Sequence, residues 1–195
     1  ERIIIAANIL NPDTRFICVR YGNVLASRGS VIPLFHDRIR TGGPVTVTVP
    51  EMTRFLLSLD QAVDTVFTAL SEVGRGETYV PDAPSSSVIN IAKALIGERN
   101  IEIKITGIRP GEKMHEIMVS EEEANHCVKR GDYYSILPML PELRQNGKKE
   151  PNALSKEFSS EDTVLDYKAT HDLLKKHRLM IEDNTNYSEH NELLR

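Results

Sequence analysis

The sequence predicts an α/β fold built on a parallel sheet, and three observations carry that prediction. The compact apolar run Phe16-Ile17-Cys18-Val19 has the length and β-rich character of a buried parallel strand. The stretch Arg20 to Pro33, RYGNVLASRGSVIP, follows it and leads into an apolar-periodic segment, Val31 to Ile39. That segment starts after Ser30, a good helix N-cap, and stops at Gly42-Gly43. Later in the chain, short β-rich runs keep alternating with amphipathic stretches. Strand, polar loop and helix in this order put the loop at the carboxyl end of a strand, where open α/β sheets hold ligands. A helix N-terminus beside Arg28 would favour an anion, although the same pattern fits an ordinary connection.

Composition narrows the classes. A chain of 195 residues, 40% hydrophobic and 27% charged, can bury a real core. A net charge of −4 leaves no electrostatic footprint for nucleic acid. Cys18 and Cys127 are isolated thiols without CxxC spacing, which predicts a reducing compartment. No apolar run approaches the roughly 18 residues that span a bilayer, so the expectation is a cytoplasmic protein with no membrane partner. His115-Glu116, His126-Cys127 and the pair His171, His177 lack metal-ligand spacing, so no metal is expected. No G-x-S-x-G is present for serine chemistry.

The elements then follow in order. Glu1 to Leu10 reads as a helix with no cap or leading loop, as if the chain started inside a domain. Val45 to Val49 alternates strictly and is a strand with Thr46 and Thr48 on one face. Asp60 is placed to cap a helix whose apolar positions Ala62, Val63, Val66, Phe67, Ala69 and Leu70 predict a core face. Thr78 to Pro81 is a short strand. Ser85 to Ser87 form a loop and cap before a helix over Val88 to Ile96, stopped by Gly97. Ile101, Ile103 and Ile105 alternate with polar residues in a strand. Pro110-Gly111 fits the centre of a type II turn. Ser120-Glu121-Glu122-Glu123 has capping-box spacing, and Tyr133 to Leu137 is extended. The polar stretch Arg144 to Asn152 is expected to be a loop. Ser159 to Asp162 is expected to cap a last helix ending near Leu179, and Asn184 to Arg195 to be a disordered tail.

Three separated motifs, in order, resemble one family: RYGNVLASRGSVIP, GIRPGEKMHEIM (Gly107 to Met118) and RGDYYSILPMLPEL (Arg130 to Leu143). They are similar to the extended short-chain dehydrogenase/reductases that modify nucleotide sugars, and most to the UDP-N-acetylglucosamine 4,6-dehydratases of bacterial surface polysaccharide pathways, including the inverting type that also epimerises C5. The resemblance runs from Glu1 to about Met180. It implies the C-terminal part of an extended Rossmann fold, a doubly wound parallel sheet, with a smaller α+β substrate-binding domain. The implied boundaries are 1–42 for the last Rossmann helix and strand with the substrate loop, and 43–143 for the substrate domain interleaved with final Rossmann elements. A C-terminal extension over 144–183 and a tail over 184–195 complete them.

The family's chemistry implies oxidation of the sugar at C4 by NADP or NAD, loss of water across C5–C6, and hydride return to C6. The catalytic Tyr-x-x-x-Lys and the Gly-rich dinucleotide loop are expected upstream of Glu1. No G-x-x-G-x-x-G occurs here, and no tyrosine has a lysine four residues on. No catalytic residue is therefore assigned to this chain, and the cofactor is expected to be bound mainly by a preceding part.

A UDP-N-acetyl-hexosamine needs cations for its diphosphate and acceptors for its ribose diol. Arg54 and Arg109 match family arginines that bind the UDP moiety, and arginine's planar fork suits phosphate; both also suit surface salt bridges. Glu112, across the Pro-Gly turn, is placed to accept the ribose hydroxyls, or to serve as an acid at a helix start. Asn23 is placed to reach the diphosphate or to close an Asx-turn. The resemblance gives Thr48 a contact to uridine, where a plain half-exposed strand residue fits equally. Val31 would approach substrate from the first turn of its helix, or simply pack in the core. The full-length enzyme is expected to form a homo-oligomer. Alternatives are a nucleotide-sugar 4-epimerase on the same scaffold, and a non-catalytic module that binds UDP-sugars or packs against a partner.

Overall fold

The computed structural model describes residues 1–27, 29–144 and 150–184. Its first elements are α1 (Arg2–Leu10), β1 (Cys18–Val19), α2 (Val31–Arg40), β2 (Val45–Val47), β3 (Thr53–Phe55) and α3 (Leu59–Glu72). Then come β4 (Thr78–Pro81), β5 (Ser85–Ser87), α4 (Val88–Ile96), β6 (Ile103–Ile105), β7 (Ile117–Val119) and α5 (Glu121–Ala124). The last are β8 (Cys127–Arg130), β9 (Tyr133–Ile136), β10 (Phe158–Ser159), β11 (Val164–Leu165) and α6 (Tyr167–Lys176). The chain alternates between two compact units, each built from three segments. The first unit takes Glu1–Gly22, Leu57–Ala83 and Glu116–Asp162; the second takes Asn23–Leu56, Pro84–His115 and the chain from Thr163 onward.

The first unit is organised by a sheet of order β1-β4-β9-β8. β1 runs parallel to β4, while β9 pairs antiparallel with both β4 and β8. Over the sheet, Ala69 and Val73 bury against Tyr79, with Ile17, Val19 and Tyr133 around them. The Tyr79 and Tyr133 rings stack at 4.7 Å. Buried charge supports this packing. Glu77 is only 6% exposed and its carboxylate accepts from Arg130 (2.7 Å), Ser135 Oγ (2.8 Å) and the Gly74 amide (3.2 Å). At the end of β1, Arg20 donates to Glu123 (2.9 and 3.0 Å), to Glu1 and to the Met118 carbonyl. Burial pushes the Glu123 carboxyl up, but the bonds from Arg20 and Ser120 outweigh it and hold the group below the ordinary glutamate range. Burial raises the Cys127 thiol to about 11.

The second unit is built on an apolar core. Ile32, Phe35 and Ile39 of α2, Val45 and Val47 of β2, Ile91 and Leu95 of α4, and Leu174 of α6 pack together. Two small sheets flank it, β2 parallel to β6, and β5 between parallel β11 and antiparallel β3. Parallel pairing between strands separated by helices is the mixed α/β arrangement expected from the sequence. Two of this unit's helix starts have a local cause: Ser87 Oγ accepts the Asn90 amide for α4, and Asp166 caps α6 through the Ala169 amide.

Several expectations are corrected. The cap of α3 is Ser58, which forms a capping box with Gln61, while Asp60 lies in the first turn. Its buried positions are Ala62, Thr65 and Ala69; Val63, Val66, Phe67 and Leu70 are exposed, Phe67 by 66%. The small side chains of Ala62, Thr65 and Ala69 take the buried face, and the broad apolar stripe beside them stays exposed. Ser85–Ser87 is a strand and not a loop, because β3 and β11 satisfy its backbone on either side. No helix begins at Ser159, which belongs to β10 opposite β7; Asp166, an N-cap residue, starts the last helix instead, and it ends at Lys176. Ser30 holds the N-cap position of α2, but its hydroxyl makes no cap bond. Arg28, the central part of the 144–152 loop and the tail from 185 onward lie outside the described residues. Among the described residues no helix is long and apolar enough to cross a membrane.

Candidate functional site

Four of the six residues singled out in the sequence surround one loop of the second unit, residues 106–115. The loop leaves the end of β6 and is fastened first to β2. The Thr106 amide donates to the Val47 carbonyl (3.0 Å) and the Gly107 amide to the Thr48 carbonyl (2.9 Å). This continues the β2–β6 register for two residues and sets half-buried Thr48 against the loop's beginning.

The tip is a turn. The Glu112 amide donates to the Arg109 carbonyl at 3.1 Å, and Gly111 has φ +86. Pro110 and Gly111 thus occupy the central positions of a type II turn, where the second residue needs positive φ and glycine supplies it without strain. Glu112 also closes the turn with its side chain, as Oε2 accepts the Arg109 amide at 3.1 Å. The Arg109 side chain is exposed, and its guanidinium has no hydrogen-bond partner among the described residues. Ile108 beside it is 50% exposed.

The loop's far end is tied to β3. Arg54 Nη1 donates to the carbonyls of Thr53 (2.7 Å) and Met114 (3.2 Å). Its Nη2 reaches the Lys113 carbonyl (3.0 Å) and the Met52 sulfur (3.1 Å). The Thr53 amide adds a bond to the Met114 carbonyl at 3.0 Å. The Thr53 hydroxyl meets His115 Nδ1 at 2.8 Å. Thr53 and Arg54 are fixed in turn by β3, which pairs Thr53 with Ser87 and Arg54 with Ser86.

Thr48, Arg54, Arg109 and Glu112 therefore belong to one cluster. In it the two arginines are placed differently: Arg54 has its terminal nitrogens on backbone acceptors, and Arg109 is open to solvent. A solvent-exposed guanidinium and a carboxylate carried on the same turn can take a phosphate and a hydroxyl group. Asn23 and Val31 are not joined to this loop by any hydrogen bond among the described residues. Asn23 is exposed and makes no Asx-turn bond among them; half-buried Val31 packs against the apolar cluster at the first turn of α2. Sequence reasoning did not single out Thr53 or His115. The two residues stand 62 apart in the chain, a separation that leaves no spacing signature.

Comparison with known proteins gives the geometry a context. Residues 1–138 match the model of a family described as "Polysaccharide biosynthesis protein". The chain is 39% identical over 157 residues to the UDP-N-acetylglucosamine 4,6-dehydratase (inverting) of Campylobacter jejuni, covering 79% of this chain and 46% of that one. It is 45% identical over 140 residues to the UDP-glucose 4-epimerase of Rickettsia massiliae, covering 70% and 41%. Among solved structures it resembles Pen from Bacillus thuringiensis, with a TM-score of 0.81 at 29% identity over 92% of this chain and 56% of that one. The chain spans about half the length of the curated relatives it matches.

Proposed function

The chain belongs to the polysaccharide biosynthesis protein family, among the extended short-chain dehydrogenase/reductases whose C-terminal Rossmann elements and smaller α+β domain it carries, and on that premise we propose that it supplies the UDP-sugar-binding part of a nucleotide-sugar 4,6-dehydratase. The observation that supports this reading is the cluster on the 106–115 loop, where Arg109 lies exposed beside the carboxylate of Glu112. In this reading Arg109 holds the diphosphate and Glu112 accepts the ribose hydroxyls. Thr48 borders the uridine, and Arg54 adds positive charge behind the loop while holding its carbonyls. Asn23 approaches the sugar-phosphate side from the segment before α2, and Val31 from the first turn of that helix.

The substrate is a UDP-N-acetyl-hexosamine, the place of action the cytoplasm, and the working form a homo-oligomer of the full-length protein. NADP or NAD supplies the hydride chemistry when bound. The sequence holds neither a Gly-rich dinucleotide loop nor a Tyr-x-x-x-Lys, so the residues that hold and use the cofactor are assigned outside these 195 residues. This chain's own residues bind and orient the nucleotide.

A second reading, a UDP-sugar 4-epimerase, is favoured by the 45% identity to the rickettsial enzyme. Product analysis by NMR separates the two. The full-length protein given UDP-N-acetylglucosamine is expected to yield a 4-keto-6-deoxy sugar; a simple 4-epimer would replace the first reading with the second. Arg109→Ala in the same protein is expected to weaken UDP binding by about 1–3 kcal/mol, the scale of a lost charge-assisted hydrogen bond. Unchanged affinity in titration calorimetry would remove Arg109 from the site.

A further inference from the structure

We infer that the Thr53–His115 hydrogen bond is the latch that sets where Arg109 and Glu112 stand, which makes His115 a positioning residue for nucleotide binding. The inference rests on the reading of Arg109 and Glu112 given above and assigns a role to two residues outside that site.

The 106–115 loop is held at two places. Near its start, two backbone bonds to Val47 and Thr48 prolong the pairing of β2 with β6. At its end, Arg54 and the Thr53 amide take the carbonyls of Lys113 and Met114, acceptors that any sequence would present there. The bond between Thr53 Oγ1 and His115 Nδ1, at 2.8 Å, is different because both partners are side chains. It is the member of the set that depends on which residue follows Met114.

Thr53 is well suited to be the fixed side of the latch. It is 4% exposed, its backbone is paired with Ser87, and a β-branched side chain has few rotamers to choose from. A hydroxyl so placed is desolvated, and losing its bond to His115 is unfavourable. His115 is therefore pulled to one position. Only Lys113 and Met114 separate it from Glu112, whose carboxylate shapes the turn that carries Arg109. Those two residues are also held through their carbonyls by Arg54 and the Thr53 amide, so the latch and these bonds together fix the end of the turn, and slack at His115 loosens the combined hold on Glu112. Charge-assisted bonds to a diphosphate weaken steeply once distance and angle drift.

The test is UDP titration calorimetry on the full-length protein, with steady-state kinetics on the UDP-sugar beside it. His115→Ala is expected to raise the UDP Kd about tenfold, the scale of one net hydrogen bond. His115→Asn should restore most of the affinity, because its amide reaches the place of Nδ1. His115→Gln, whose amide lies where Nε2 would be, should not. Thr53→Val, which keeps shape and removes the hydroxyl, should match His115→Ala, and the double variant should be no weaker than either single one. KM should move more than kcat, since the latch acts on the nucleotide end of the substrate. Thr53→Val and His115→Asn keep the side-chain bulk, so they decide the matter even if His115→Ala fails to fold. A loss of thermal stability with unchanged Kd in Thr53→Val would overturn the inference. Unchanged Kd in the latch variants with weakened binding in Arg109→Ala would sink the latch alone. Unchanged Kd in Arg109→Ala would sink the reading beneath it.

Discussion

Arg20 and Arg130 of the first unit and Arg109 of the second stand in opposite situations. In the first, Arg130 and Arg20 are parts of the scaffold, each tied to a carboxylate: Glu77 for Arg130, and both Glu1 and Glu123 for Arg20. The second unit coheres through a continuous apolar cluster, and its charged groups near β3 act on the backbone or stay in solvent. One residue type thus does structural work as Arg20, Arg130 and Arg54, and stays open to solvent as Arg109. Counting arginines could not have separated these roles; their partners do.

The sharpest way to break this contrast is Arg130→Met. It leaves the buried Glu77 carboxylate without its cation, and is expected to destabilise the fold by about 3–5 kcal/mol. Urea denaturation measures this as a lower midpoint at unchanged slope. A loss under about 1 kcal/mol, the scale of a surface pair, would make the ion pair incidental. In the second unit the corresponding test is Leu95→Ala, at a fully buried position of the apolar cluster. The expected loss is about 3 kcal/mol, from lost transfer energy and the cavity left behind.

The smallest effect is the acid response of the first unit. Glu123 is held below the ordinary value of 4.5 in the folded state, with burial opposing and the Arg20 and Ser120 bonds prevailing. A folded value below the unfolded one means the stabilisation is present above about pH 4.5 and is lost as pH falls through the lower, folded value. Glu123→Gln should flatten the stability profile in that acid window and leave its shape at neutral pH alone. A variant with the same acid slope as the parent would show that Glu123 does not carry it.

Much of the architecture was legible because its causes are local. The alternation in Val45 to Val49 gave β2, the Ser120–Glu123 capping box gave α5, and Pro110-Gly111 gave the turn at the loop tip. Failures came where a distant partner decided the outcome. Three serines look like a loop until β3 and β11 hydrogen-bond both sides of them. The stripe of Val63, Val66, Phe67 and Leu70 looks like core, yet periodicity says only that a face is apolar and not what lies against it. The site divides the same way. Arg109 and Glu112 stood out because their motif is contiguous, while the engagement of Arg54 with the Lys113 and Met114 carbonyls and the Thr53–His115 pair needed the third dimension.

The carboxylate of Glu112 closes its own turn by accepting the Arg109 amide. A ribose diol arriving at that carboxylate would meet one oxygen, Oε2, already engaged by the backbone, so occupancy and local shape draw on the same group. The amide proton of Arg109 then becomes a built-in gauge: its chemical shift should move on nucleotide addition before any change elsewhere in the second unit's core.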